Sequence, residues 1–156
     1  MLLHILAIGR AKKQAAESRL TSDYISRLPK GSLLYEAESR LPQGQARMRD
    51  ESDKLLHLYH SKKPKSARLI ALDPTGRNIA SPDLAELISS WRDQGIGACY
   101  FAIGGADGHS DDLRAEADEI LSFGAATWPH MLFRAMLAEQ LYRAETIIAN
   151  HPYHKS

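Results

Sequence analysis

The residues best suited to chemistry stand near the end of the chain, where LAEQLYRA at 137–144 is followed by NHPYHK at 150–155. Arg143 offers a permanent cation with a planar fork of donors, Tyr153 an aromatic face with a hydroxyl, and His154 an imidazole that titrates near neutral pH. A second set of candidates is Gly104, Gly105 and Gly108, which follow the apolar run ACYFAI. Lacking Cβ atoms, they allow positive φ and close approach of backbone N–H groups to a ligand, although a tight turn without a ligand reads equally well. Their spacing is neither GxGxxG nor that of a phosphate loop, so both of those motifs are absent. Asp73, with Pro74 and Gly76 just after it, is either a second ligand wall at a strand end or a turn former.

Other polar groups read as structural. DGHSDD brings Asp107, His109, Asp111 and Asp112 together, but a helix start explains it better: Ser110 caps and the two aspartates face the positive end of the dipole. His151 and His154 are three apart with no second pair or cysteine to complete a tetrahedral site, so no metal is expected. Cys99, the lone cysteine, lies in an apolar run and reads as a buried strand residue of a reduced interior. No GxSxG elbow supports acyl transfer. His130 reads as a structural hydrogen-bonder.

Strand-like runs at about 2–8, 33–37, 67–72 and 97–103 alternate with helical patterns at about 13–28, 43–60 and 82–94. That order predicts an α/β fold, with a mostly parallel sheet and helices on both faces. Ser81 reads as the cap of the third helix, with Pro82 at its first position and Gly95 as its stop. A last helix over about 129–150 carries Phe133, Leu137, Leu141, Ala144 and Ile148 on one stripe, widened by Met136 and Ile147. Such breadth suggests contact on more than one side, a second subunit included. Asn150 can take a left-handed cap conformation, and Pro152 cannot continue the helix.

With 156 residues and no linker or repeat, 1–156 reads as a single domain. The N-terminal apolar run LLHILAIG is too short to cross a membrane, and its basic residues follow it, in reverse of signal-peptide order. A soluble, cytoplasmic protein is expected. Charge is uneven: residues 1–68 carry a net +7 and residues 69–156 a net −6. The basic half reads either as an ordinary solvated surface or as an RNA or other polyanion footprint.

Taken together, ALDPTG at 71–76, IGGADG at 103–108, TWPH at 127–130, LAEQLYRA and NHPYHK resemble one family over about the whole chain. The chain looks like a member of the ribosomal RNA large subunit methyltransferase H family, within the SPOUT superfamily. The resemblance implies a SPOUT-type α/β knot with a C-terminal trefoil, a homodimer packed through the last helix, and no membrane or metal partner. It implies S-adenosylmethionine-dependent methylation of N3 of pseudouridine 1915 in 23S ribosomal RNA of assembled ribosomes. Carried over by position, the cofactor would meet Leu72, the glycine turn at Gly104 and Gly105, and the segment Gly124, Ala125, Ala126, Thr127, Trp128 and Pro129. Arg143 would bind phosphate or stabilise the deprotonated acceptor base, Tyr153 would stack on or position that base and His154 would relay its proton, while Arg10, Lys12 and Lys13 would take RNA phosphates. Two other readings are a ribosome-binding factor without activity and a SPOUT methyltransferase acting on transfer RNA. A flavodoxin-like nucleotide binder lacks its phosphate loop.

Overall fold

In a computed structural model, the structure describes residues 1–155, with side chains through 153. Five strands form one sheet: β1 (Leu2–Ile8), β2 (Leu34–Ala37), β3 (Ala67–Asn78), β4 (Ala98–Ile103) and β5 (Glu119–Ser122). Their order is β2-β1-β4-β3-β5, and every pairing is parallel. Parallel strands need crossovers, and helices supply them. These are α1 (Ala16–Ser26), α2 (Gln45–Lys62), α3 (Ser81–Asp93) and α4 (Asp111–Glu116), with α5 (His130–Ile148) last.

The pleat sorts each strand between two cores. In β4, all six residues of ACYFAI are buried. Cys99, Phe101 and Ile103 join Leu84, Ile88 and Trp91 of α3 and Leu137, Leu141 and Ala144 of α5. Ala98, Tyr100 and Ala102 instead join Leu55 and Tyr59 of α2 and Leu113 of α4. Helices therefore cover both faces, as the near-continuous apolar runs require. The α5 stripe packs as expected at Leu137, Leu141 and Ala144, with Phe133, Ile147 and Ile148 partly buried at its margin. Cys99 is buried, and loss of solvent pushes its thiol up to about 12, so it is inert.

Four local expectations are corrected. Strand β5 was not foreseen. Strand β3 continues past Leu72: after an irregular detour, Arg77 and Asn78 pair with Leu121 and Ser122 of β5. Helix α1 begins at Ala16, three residues later than read. Ser81 is not the cap of α3: Ala80 occupies that position, and the Ser81 hydroxyl donates to Gln140 Oε1 at 2.6 Å, tying α3 to α5. At the far end, Asn150 has the left-handed φ of 52° that stops α5, and Pro152–Lys155 form one 3₁₀ turn.

Candidate functional site

The carboxyl ends of β1, β4 and β5, at Ile8, Ile103 and Leu121–Ser122, and the point after Leu72 where β3 breaks its register open onto one cleft of about 910 Å³. Strand ends of this polarity are where open parallel sheets bind ligands. Of the residues foreseen for a cofactor, Leu72, Gly104, Gly105, Gly124, Ala126, Thr127 and Trp128 line the cleft. Ala125 and Pro129 belong to the same connecting segment without lining it. Trp128 is 40% exposed, so its ring sits at the mouth.

Each wall is set by local geometry. Asp73 is a turn former: Thr75 donates to its Oδ1 through both N–H (2.8 Å) and hydroxyl (2.7 Å), and Arg114 Nη1 donates to Oδ2 at 2.5 Å. Burial raises the Asp73 carboxyl, but these bonds outweigh it and hold the pKa below the ordinary value. In the glycine turn, Gly108 N–H donates to Gly105 O at 3.1 Å. A Cβ on Gly104 would fall 2.7 Å from Gly108 O, so the turn closes only with a glycine at 104. His130 Nε2 donates to Gly104 O at 2.8 Å, bracing α5 against that turn. Burial, with Arg134 nearby, lowers the His130 pKa and keeps the ring neutral.

The DGHSDD segment is a helix start: Ser110 Oγ accepts from Leu113 N–H at 3.3 Å, and His109 is turned inward, its Nε2 donating to Leu72 O at 3.1 Å. Among the described residues no group of three His, Cys, Asp or Glu side chains is arranged to hold a metal ion.

Two residues of this region, Glu51 and Arg134, escaped the sequence reading, and Arg47 figured there only as one of the basic residues of the N-terminal half. Glu51 and Arg47 of α2 line the cleft, joined by a 2.7 Å hydrogen bond from Arg47 Nε to Glu51 Oε1. Arg134, 1% exposed, donates to Ile8 O at 2.7 Å, Gly9 O at 2.8 Å and Glu36 Oε1 at 2.5 Å. It therefore welds α5 to the ends of β1 and β2, just where the basic loop begins. In that loop Arg10, Lys12 and Lys13 are exposed, and Glu36 Oε1 also accepts Ala11 N–H at 2.9 Å. Arg10 forms a loose ion pair with Glu38 at 3.5 Å.

Arg143 and Tyr153 are brought together, but not at the cleft. Glu139 Oε1 accepts from Arg143 at 2.7 and 3.0 Å and from the Tyr153 hydroxyl at 3.2 Å, and the guanidinium lies 5.2 Å from the Tyr153 ring centre. Tyr24 of α1 meets Tyr153 hydroxyl to hydroxyl at 3.2 Å. Desolvation, the Tyr24 hydrogen bond and the Glu139 charge raise the Tyr153 pKa, so this phenol is a donor. Along α5, however, Arg143 is thirteen residues beyond His130, roughly 20 Å at the helical rise. The side chain of His154 lies outside the described residues.

The arrangement defines an α/β protein whose parallel sheet carries at its carboxyl edge one cleft lined by glycine turns and Trp128, of a size that suits a small molecule. The model of the family described as "Predicted SPOUT methyltransferase" matches residues 1–154. A ribosomal RNA large subunit methyltransferase H from Paramagnetospirillum magneticum is 44% identical over 155 residues, covering 99% of both chains. Proteins of the same description from Hyphomonas neptunium and Bartonella henselae are 45% identical over 159 residues (100% of both chains) and 42% over 164 (99% of both). This chain belongs to the SPOUT methyltransferases, and within them to the ribosomal RNA large subunit methyltransferase H family.

Proposed function

We propose that the chain, acting as one domain over 1–156, is an enzyme that transfers a methyl group from S-adenosylmethionine to N3 of pseudouridine 1915 in 23S ribosomal RNA. Its substrate is the assembled ribosome in the cytoplasm. The observation that carries this reading is the cleft: four strands and two glycine-bearing turns converge on it. The residues fit the cofactor. A volume of about 910 Å³ is within the ~300–1,000 Å³ of small-molecule sites. Gly104 and Gly105 permit close main-chain approach, and the Leu72 and Ala126 side chains suit an adenine face. When bound, S-adenosylmethionine supplies an electrophilic methyl on a sulfonium.

The chain's own residues then have three tasks. Main-chain groups of Leu72, Gly105 and 124–129 hold and orient the donor, and orientation alone supplies much of the acceleration in an in-line displacement. Arg143 stabilises the acceptor once its N3 proton has left, and Tyr153, kept protonated, donates to a base oxygen. His154 is proposed as the group that takes up the proton. Arg10, Lys12 and Lys13 neutralise phosphates of the RNA.

Because Arg143 and Tyr153 sit so far along α5 from the cleft, one copy does not complete the site by itself. We propose a homodimer packed through α5, in which the acceptor residues of one subunit serve the cleft of the other, on a C-terminal trefoil knot. Incubating the protein with ribosomes from cells lacking this activity, then digesting the RNA for mass spectrometry, tests the proposal. One methyl on the one pseudouridine is expected. Methylation of transfer RNA with ribosomes untouched, or no methylation at all, would overturn it.

A further inference from the structure

The Glu51 carboxylate is held inside the protein at the edge of the cleft. The residue is 2% exposed although it sits on a largely polar helix. Its Oε1 accepts from Arg47 Nε at 2.7 Å. Among the described residues nothing donates to Oε2, and that atom is packed so near the glycine turn that a Cβ on Gly105 would lie 2.1 Å from it. Both Glu51 and Gly105 line the cleft. The other carboxylates there are different in kind: Asp73 is saturated by Thr75 and Arg114, while Asp107 is exposed and accepts Gly44 N–H at 3.2 Å. Oε2 is not sealed from solvent, so it is open to the cleft, where a largely buried carboxylate with one oxygen free of donors attracts a cation. His130 is held neutral, and Arg47, with a side chain 39% exposed, shares its charge with solvent.

We infer that Glu51 is the counter-charge for the sulfonium of the methyl donor, so that the cleft separates donor from demethylated product by charge. The inference rests on the methyl-donor reading of the cleft. The donor and S-adenosylhomocysteine differ by one methyl and by the positive charge on sulfur, so a carboxylate facing that sulfur attracts only the donor. Once the methyl has left, the attraction is gone and the product is released. The charge drains from sulfur as transfer proceeds, so this contact is strongest before the transition state and acts through donor affinity. Arg47 restrains the effect by placing an opposing charge beside the same carboxylate.

Calorimetric binding of S-adenosylmethionine and S-adenosylhomocysteine to the full chain tests this in the wild type, Glu51→Gln and Arg47→Gln. The wild type should prefer the donor. Glu51→Gln should cut the preference about tenfold while leaving product affinity within about twofold, the size expected of one partly screened charge pair. Arg47→Gln, altered at a partly exposed side chain, should raise the preference. Equal weakening of both ligands in Glu51→Gln, or a preference unchanged in it, overturns the inference. If Glu51→Gln does not fold, Arg47→Gln decides: a preference at or below that of the wild type overturns it. Wild-type protein that binds neither ligand removes the methyl-donor reading and this inference with it, whereas binding of both with the wrong ratios removes only the inference.

Discussion

Replacing Gly105 by Ala should close the cleft from within. The new Cβ would lie 2.1 Å from Glu51 Oε2 and 2.9 Å from its Cδ, whereas non-bonded atoms settle near ~3.5 Å. About 1.4 Å must therefore be yielded, by Glu51 or by the turn. Glu51 has little room, since Arg47 holds its carboxylate and the next residue, Ser52, accepts Ser110 N–H at 2.9 Å. Overpacking of this kind costs ~1–3 kcal/mol, which, taken wholly from binding, weakens a ligand about 5- to 150-fold. The assay is calorimetry with S-adenosylhomocysteine, whose neutral sulfur keeps the Glu51 charge out of the result. A second substitution, Glu51→Ala, makes room for the methyl group, so Glu51→Ala/Gly105→Ala should bind the product better than Gly105→Ala alone. Wild-type affinity in Gly105→Ala, or no recovery in the double variant, would refute the steric reasoning.

Further outcomes follow from the same geometry. Gly76→Ala places a Cβ 2.7 Å from the backbone C and O of Ile120, so it should prise β3 from β5 and cost ~1–3 kcal/mol in urea unfolding; an unchanged midpoint would contradict this. Arg134→Met removes a donor from two carbonyls and leaves Glu36 with Ala11 N–H alone, and should cost about 3 kcal/mol by the same measurement. Burial lowers the pKa values of His4, His109 and His130 below 6.5. The unfolded chain therefore takes up protons at these sites before the folded one does. Their contribution is full above pH ~6.5 and is lost as pH falls below it. Unfolding free energies at pH 7.5 and 5.5 should show the decrease, which should be smaller in His109→Asn; a flat profile would count against the buried, neutral imidazoles.

The main strands were legible because their chemistry is local. ACYFAI and LLHILAI are continuous apolar runs, and both are buried strands of a parallel sheet. Strand β5 was not, since EILS is four residues with only Leu121 and Ser122 buried, and it becomes a strand only by pairing with the edge of β3. Ser81 carried the right residue type for a cap, yet a long-range partner, Gln140, claimed its hydroxyl. In the site, glycines announced the turns, because a missing Cβ is a local property. Glu51 did not announce itself: QARMRDESDKLL reads as a solvated helix, and only the way α2 crosses the sheet puts that carboxylate beside Gly105. Arg134 was hidden inside an apolar stripe for the same reason. The separation of Arg143 from the cleft needed the straight run of α5, which motif spacing does not reveal.

A crystal structure of the protein with S-adenosylmethionine tests the central claim most directly. The account requires one donor per chain in the cleft, touching the main chain at Leu72, Gly105 and 124–129, with Arg143 of a second subunit facing its methyl group. A donor bound elsewhere, or a dimer that keeps every Arg143 away from every cleft, would contradict it.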